Sequence, residues 1–214
     1  MLIFFIFYSL QKMTRFIIIE GGIGSGKTTL LDKIHEMHPN IPIIYEYIET
    51  KEGQLAFQLF ISKKLDSISF QYYIANYWFS RLINCYDHEI VFIERGPLAA
   101  LAFINENQFP SKDLYLKFVN FLILICELSG LNNIKFRTLT YHCNISEVFS
   151  TINNTDNYVL FIVASSEQLI KGVYKRNRPG ERQNYNIDFL HNNALRLMGI
   201  YLNPIPEIKK LISN

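Results

Sequence analysis

Residues 21–28 follow the spacing Gly-x-x-x-x-Gly-Lys-Thr, a pattern typical of loops that bind phosphate groups. Glycines in such a loop let successive backbone N–H groups turn towards phosphate oxygens, and the helix that follows adds its positive end. Lys27 is expected to reach the β- and γ-phosphates, and the Thr28 hydroxyl is expected to ligate Mg²⁺. The pattern therefore predicts a bound nucleoside triphosphate, held by Gly21, Gly22, Ile23, Gly24, Ser25, Gly26, Lys27, Thr28 and Thr29.

Charged side chains stand at the ends of two further apolar runs. The run at 43–45 ends in Glu46, and the run at 89–93 ends in the pair Glu94-Arg95. Ligands bind where the carboxyl ends of parallel strands meet, so these groups are expected beside the phosphate loop. Phosphoryl transfer needs a base for the attacking hydroxyl, a metal ligand and a clamp on the acceptor. We assign these roles to Glu46, Glu94 and Arg95 in turn, although each alone could equally be a surface charge.

Apolar strands that alternate with helical segments predict the fold class. Strands are predicted at 17–19, 43–45, 89–95 and 158–164, and each is apolar throughout, as in parallel sheets buried on both faces. Apolar residues recur with helical spacing at 55–65, 70–86, 113–128, 167–176 and 187–202. The sequence therefore predicts an α/β fold with a doubly wound parallel sheet of about four to five strands, like that of P-loop NTPases.

The 214 residues suit one domain, which we predict at 15–214. An apolar stretch at 1–14 precedes it, and we favour an over-extended start, with Met13 as the true first residue, over an extra edge strand. The stretch is too short to span a bilayer, so no membrane anchor is expected. At 129–157 the sequence turns polar and rich in asparagine, which indicates an excursion or insertion with one strand at 135–142.

Composition limits the expected partners and compartment. The chain is 49% hydrophobic and 19% charged with a formal charge of +2, and it has no long basic run, so no nucleic-acid polymer is expected. Cys85, Cys126 and Cys143 are odd in number and lack the paired spacing of metal ligands. They predict neither a disulfide framework nor a zinc site, and they fit a reducing compartment, which we take to be the cytoplasm.

A cluster of cations at 171–182 follows the fourth predicted strand and its helix. Arg176 and Arg178 lie just before a Pro-Gly turn at 179–180. Such cations suit a lid that closes over a triphosphate and excludes water, although the solvated basic end of a helix would have the same composition.

Several segments resemble the thymidine kinases of herpesviruses, within the wider deoxynucleoside kinase family. They are the phosphate loop at 21–29, the run ERGPLAAL at 94–101 and the string KRNRPGER at 175–182, which is the most specific of the three. The likeness covers about residues 15–202 outside the excursion. It implies ATP- and Mg²⁺-dependent phosphorylation of the 5′-hydroxyl of thymidine or a related pyrimidine deoxynucleoside, and a homodimer formed through the apolar helices at 70–86 and 113–128.

The resemblance also implies roles residue by residue. Glu46 would take the proton from the nucleoside 5′-hydroxyl and Arg95 would hold that oxygen, with Lys27, Arg176 and Arg178 as catalytic cations. In the substrate site, the amide of Gln71 would pair with the pyrimidine edge, and the carboxylate of Glu181 would bind the sugar 3′-hydroxyl.

The chain departs from the family pattern at several positions. Ala100 stands where cytidine-preferring relatives place an aspartate, which favours thymidine. The family's stacking tyrosine and following arginine fall at about Ile104 and Gln108, with Phe103 as a substitute for the tyrosine. The first lid arginine falls at Gly172. The sugar-binding tyrosine has no placed counterpart, and the nearest aromatic residues are Phe57 and Phe60.

The C-terminus departs most from the family. The fifth strand and the loop that cradles the donor's adenine are not evident after residue 202, and 135–142 or the N-terminus are candidates to replace that strand. This shortening leaves open a kinase-like module that binds nucleotide without turnover. A thymidylate kinase is also open, but such enzymes usually carry a Glu-Pro-Gly-type loop after the second strand, which 45–48 does not supply.

Overall fold

A parallel β-sheet with helices on both faces forms the centre of the protein. The computed structural model describes residues 14–85, 88–153, 155–178, 181 and 185–213, and within them the predicted α/β class is confirmed. The apolar stretch at 1–13, with both proposed start sites, lies outside these residues. So do Pro179, Gly180 and Arg182 of the predicted lid.

The described residues form six strands, which corrects the expected four to five. Their order across the sheet is β2-β3-β1-β5-β4-β6, and every neighbouring pair is parallel. The last strand pairs through only two residues, too few to give an apolar run that sequence reasoning could find. The strands are β1 (Arg15–Gly21), β2 (Ile43–Ile44), β3 (Ile90–Glu94), β4 (Ile134–Thr140), β5 (Tyr158–Val163) and β6 (Ile212–Ser213).

The predicted helices are present, with boundaries that differ by up to four residues. Side-chain caps set the largest differences: Thr50 accepts a hydrogen bond from the N–H of Gly53, and Asp66 accepts two from the backbone of the next turn. A 3₁₀ helix at Pro97–Ala102 follows β3. The α-helices are α1 (Lys27–Met37), α2 (Lys51–Ile61), α3 (Ser67–Leu82), α4 (Lys112–Leu128), α5 (Ile145–Thr151), α6 (Ser166–Arg176), α7 (Ile187–Leu202) and α8 (Pro206–Lys209).

Strand β1 is buried on both faces because successive side chains of a strand point to opposite sides of the sheet. Phe16 and Ile18 pack into an apolar cluster that includes residues of α3, α4 and α7. Ile17 and Ile19 pack into a second cluster with residues of α1 and α5. The two clusters hold the sheet between layers of helices and fix the position of the loop that follows β1.

The polar segment at 129–157 contributes a strand to the sheet, at Ile134–Thr140, close to the strand predicted at 135–142. Its strand β4 lies between β5 and β6. Asn157 ties the segment to the core, since its Oδ1 accepts the N–H of Phe16 at 2.8 Å and its Nδ2 donates to the carbonyls of Gly130 and Asn132 at 3.0 and 2.7 Å. The short β6 also shows that a strand does follow the last long helix, contrary to the expectation.

The outer surface of the described residues bears on two further expectations. No described helix has the length and apolar character needed to cross a bilayer. Helix α4 leaves Leu114, Leu124 and Leu128 between 41% and 48% exposed. The homodimer stays a prediction.

Candidate active site

Three strands deliver the predicted functional residues to one edge of the sheet. β3 lies between β1 and β2, and Ile19 of β1 is opposite Glu94 in the parallel register. The phosphate loop follows β1, Glu46 comes two residues after β2, and Arg95 comes directly after β3. The topology therefore brings the anion-binding loop, two carboxylates and a guanidinium together.

The phosphate loop has the backbone that its glycines predict. Gly21, Gly24 and Gly26 have φ values of 147°, 87° and 88°, which L residues rarely adopt. Gly26 is the N-cap of α1, so the first N–H groups of that helix face the loop. The loop is therefore shaped to present N–H donors to an anion at the N-terminus of a helix.

The backbone of the loop touches helix α6 directly. A Cβ atom at Gly172 would lie 2.0 Å from the carbonyl oxygen of Gly24, and a Cβ atom at Gly24 would lie 2.2 Å from the carbonyl oxygen of Leu169. Neither position has room for a side chain. This explains why a glycine stands at 172, where the family resemblance expects a lid arginine.

Lys27 is buried among the loop carbonyls and lies close to the acidic residues. Its Nζ is 3.4 Å from the carbonyl oxygens of Gly21 and Gly22. Burial and the charge of Arg95 lower the pKa of Lys27 to about 8. The ammonium is therefore held at weak contacts, which oxygen atoms of a phosphate can replace.

Arg95 lies between two carboxylates and is buried with them. Its Nε donates to Glu46, and its Nη1 lies 3.4 Å from Oε2 of Glu20. Burial opposes ionisation of Glu46, but the charges of Arg95 and Lys27 outweigh it and lower the pKa of Glu46 to about 2. Arg95 itself has a positive φ of 65°, held by its N–H bond to Ile19 at 3.0 Å.

Sequence reasoning missed Glu20, which is fully buried at the end of β1. Its Oε1 accepts the N–H of Gly96 at 3.0 Å, and its Oε2 faces Arg95 and the N–H of Gly21. Burial raises the pKa of Glu20. A signal was present, because a carboxylate inside an apolar parallel strand is costly unless it has partners. Glu20 therefore holds Arg95 together with Glu46.

Glu94 and Thr28 lie together at the start of α1, as the predicted metal site requires. The Thr28 hydroxyl donates to Oε1 of Glu94. Oε2 of Glu94 is buried and has no hydrogen-bond partner among the described residues. Burial and the charge of Glu46 raise the pKa of Glu94. An orphaned carboxylate oxygen beside a hydroxyl provides the hard oxygen ligands that Mg²⁺ prefers, so these two residues fit that ion.

A cavity of about 270 Å³ opens beside Glu46 and Arg95. This volume lies near the lower end of small-molecule sites, which span roughly 300–1,000 Å³. Gln71 is 4% exposed at its wall, and its Oε1 has no hydrogen-bond partner among the described residues. Because an unpaired buried amide is unfavourable, this oxygen is set to accept a hydrogen bond from a ligand. Apolar and aromatic walls come from Ile48, Phe57, Phe60, Phe70, Ile74, Phe103 and Phe189.

Part of the predicted substrate machinery lines the same cavity. Glu181 is buried and accepts hydrogen bonds from Nε and Nη2 of Arg176 at 3.1 and 2.6 Å. Arg178 is paired with Glu49. Tyr185 lies on the wall as well, and its hydroxyl has a pKa raised to about 12 by burial and by the charge of Glu181. The lid residues Arg176, Arg178 and Glu181 thus line the same cavity as Glu46 and Arg95.

Other predicted positions are divided between the wall and the core. Phe103 and Gln108 line the cavity, whereas Ile104 is fully buried in the core and Ala100 is 4% exposed in the same apolar cluster. Phe57 and Phe60, the nearest candidates for the missing tyrosine, do line it. Sequence reasoning missed several wall residues, among them Tyr47, Tyr185 and Arg196, because they belong to no recognisable motif.

A second cavity, of about 700 Å³, lies on the other side of the phosphate loop. Its walls include the loop, the first turn of α1 and the cations Lys175, Arg176 and Arg178. Residues 141–143, which follow β4, also line this cavity. The two cavities share Arg176 and Arg178, so the lid cations lie between them.

Comparison with known proteins supports the fold. No protein-family model and no curated protein sequence matches the chain. A solved structure of deoxyadenosine kinase from M. mycoides with bound dATP matches with a TM-score of 0.60 and 16% identity, over 94% of this chain and 90% of that chain. A second structure, of deoxyadenosine kinase from M. mycoides with products dCMP and a flexible dCDP bound, gives 0.57 and 15%, over 92% and 88%. The chain therefore has the P-loop kinase fold of these structures.

Proposed function

We propose that this protein is a deoxynucleoside kinase that transfers the γ-phosphate of ATP to the 5′-hydroxyl of thymidine or a related pyrimidine deoxynucleoside. One observation carries the proposal: a buried Glu46–Arg95 pair lies beside the phosphate loop and lines a cavity of about 270 Å³. The solved structures with a similar fold are named as deoxyadenosine kinases, which supports a nucleoside acceptor in general. The herpesvirus-type pattern of the lid string supports the pyrimidine.

The donor end of the site neutralises the charge of the triphosphate. Backbone N–H groups of the loop and the ammonium of Lys27 bind phosphate oxygens, and Arg176 and Arg178 reach the transferring group from the lid. Thr28 and Glu94 would hold Mg²⁺, which would offset part of the negative charge of the triphosphate. Arg176 is paired with Glu181, and Arg178 is paired with Glu49. A bound triphosphate would replace these carboxylates as the partner of the two arginines.

The acceptor end orients the sugar alcohol. Glu46 accepts the proton of the 5′-hydroxyl as the oxygen bonds to the γ-phosphorus, and the bond from that phosphorus to the bridging oxygen of ADP breaks. A pKa of about 2 makes Glu46 a weak base, but it also keeps the carboxylate ionised and ready to orient the hydroxyl. A loose transition state needs little help from a strong base. Arg95 stabilises the acceptor oxygen.

Base recognition depends on Gln71. Its buried Oε1 lacks a partner among the described residues, and its amide can pair with a ring N–H and the neighbouring carbonyl of thymine. A base that left this amide unpaired would bind less tightly. The stacked rings of Phe60 and Phe70, whose centroids are 4.4 Å apart, form part of the apolar wall of the same cavity. The amide can also pair with other bases, so the acceptor has to be identified by assay.

The test is transfer of radiolabelled phosphate from ATP to thymidine, deoxycytidine, deoxyadenosine, thymidylate or no acceptor. We expect transfer to thymidine, loss of it in Lys27→Ala and Glu46→Gln, and a preference for thymidine that falls in Gln71→Leu. Glu36→Gln, on the exposed side of α1, is a matched control for the change at Glu46. Transfer to deoxyadenosine alone would overturn the pyrimidine assignment, and ATP binding without any transfer would overturn the kinase.

A further inference from the structure

The loop that follows β4, at residues 141–143, lies beside the phosphate loop. β4 pairs in parallel with β5, and β5 pairs in parallel with β1. The carboxyl ends of all three strands therefore lie at the same edge, although β4 is encoded far from the phosphate-loop motif. The segment that sequence analysis left without a function is thus delivered to the functional edge of the sheet.

The 700 Å³ cavity joins this loop to the phosphate loop. Tyr141, His142 and Cys143 line it together with Gly24 to Leu30, Asp32 and Lys33. Its volume lies well inside the roughly 300–1,000 Å³ range of sites for whole small molecules. The cavity is therefore large enough for a whole nucleoside triphosphate, with its phosphates at the loop.

Two aromatic rings belong to the lining of this cavity. The rings of Tyr141 and His142 lie 4.9 Å apart at an angle of 74°. Tyr141 is partly buried against the apolar cluster of α1 and α5, whereas His142 is exposed. One ring is thus anchored in the core and the other faces outwards, an arrangement that can offer aromatic surface to a planar ligand.

The loop is held in place before any ligand binds. The N–H of Cys143 donates to the carbonyl of Thr140 at 3.0 Å, which closes a turn directly after β4. Asn144 then caps α5 in a reciprocal pair of hydrogen bonds with Glu147. Val148 of α5 is fully buried against the cluster that includes α1. A fixed loop loses little conformational freedom when it binds a ligand.

We propose that Tyr141 and His142 bind the base of the donor nucleotide. The inference rests on the proposed function only in that the donor is a nucleoside triphosphate held by the phosphate loop. It gives the segment at 129–157 a role, and it supplies the donor-base contacts that sequence analysis could not find near the C-terminus. Aromatic stacking is tolerant of base type, so this site contributes affinity for the donor more than it selects one base.

Equilibrium binding of ATP and of inorganic tripolyphosphate to the full chain separates base contacts from phosphate contacts. We expect the wild type to bind ATP at least about tenfold more tightly than tripolyphosphate. The double variant Tyr141→Ala/His142→Ala should lose about 10- to 100-fold in ATP affinity and keep its affinity for tripolyphosphate. Tyr141→Phe/His142→Phe, which keeps the aromatic surface, should retain most of the ATP affinity.

Two controls and two outcomes complete the test. Tyr115→Ala/His35→Ala removes the same groups at positions outside the cavity wall and should leave both affinities unchanged. Lys27→Ala should weaken both ligands. ATP affinity within twofold of wild type in the Tyr141→Ala/His142→Ala variant, or an equal loss for ATP and tripolyphosphate, would overturn the proposal. A protein that binds ATP as expected but phosphorylates no acceptor would refute the proposed kinase activity and leave this site standing.

Discussion

Replacement of Glu20 by glutamine tests how the buried charges hold Arg95. The carboxylate uses Oε1 for the N–H of Gly96 at 3.0 Å and Oε2 for Arg95 at 3.4 Å and Gly21 at 3.4 Å. Glutamine has one oxygen and one NH₂ group. If its oxygen keeps the bond to Gly96, its NH₂ group faces two other donors. The variant therefore loses the charge-assisted contact and gains an unfavourable one.

The size of the effect follows from these contacts. Loss of a hydrogen bond to a charged group costs about 1.5–3 kcal/mol, and burial removes water as a replacement partner. For a chain of this length each kcal/mol corresponds to about 2–4 °C in Tm, so we expect a fall of about 3–12 °C. Arg95 would also lose one of the contacts that position its guanidinium, and misplacement by about 1 Å can lower turnover up to about 100-fold.

The assays are thermal unfolding by circular dichroism and steady-state phosphoryl transfer. We expect a lower Tm and a kcat reduced by about 10- to 100-fold. The affinity for tripolyphosphate should change far less, because the hydrogen bond that Glu20 makes to the loop residue Gly21 is long, at 3.4 Å. Glu36→Gln makes the same chemical change at an exposed position of α1 and should shift Tm very little. A Glu20→Gln variant with wild-type Tm and turnover would refute the idea that Glu20 positions Arg95.

Three further predictions concern the donor site, the lid and the core. Burial and the charge of Arg95 lower the pKa of Lys27 to about 8, so kcat/KM for ATP should fall as the pH rises through that value and the ammonium becomes neutral. A wild-type pH profile that stays flat there, or a Lys27→Arg profile that does not extend to higher pH, would contradict this role of the Lys27 charge. Glu49→Gln frees Arg178 for the triphosphate and should lower KM for ATP by up to about fivefold at low salt; a raised KM would show that the pair supports binding. Trp78→Ala should lower the free energy of unfolding by about 3–5 kcal/mol in urea titrations, since the side chain is 1% exposed; a loss under about 1 kcal/mol would contradict its place in the core.

The sequence predicts those parts of the site that belong to a local pattern. The phosphate loop is a contiguous motif. Glu46 is the first charged residue after one apolar run, and the pair Glu94-Arg95 ends another. Parallel strands end at a common edge, so the meeting of these groups followed from the fold class. Their roles in catalysis stay predictions until variants are assayed.

The remainder depends on tertiary contacts that carry no local signal. The strand at 135–142 could be predicted, but its place inside the sheet could not, because only Ile134 and Leu139 of β4 are buried and the strand has no long apolar run. Tyr185 and Arg196 line the 270 Å³ cavity together with Gln71, although they come from segments after the lid, far along the chain from it. Glu20 is an exception, because a carboxylate inside the apolar strand β1 is itself a local signal of a buried partner.

The close approach of Gly24 and Gly172 has a mechanical consequence. With carbonyl and Cα atoms of two segments in direct contact, α6 cannot tilt away from the triphosphate cradle without opening a gap that no side chain fills. Arg176, the last residue of α6, is therefore held in place with the phosphate loop. The left-handed C-cap residue Asn177 is the first lid residue outside this packed unit.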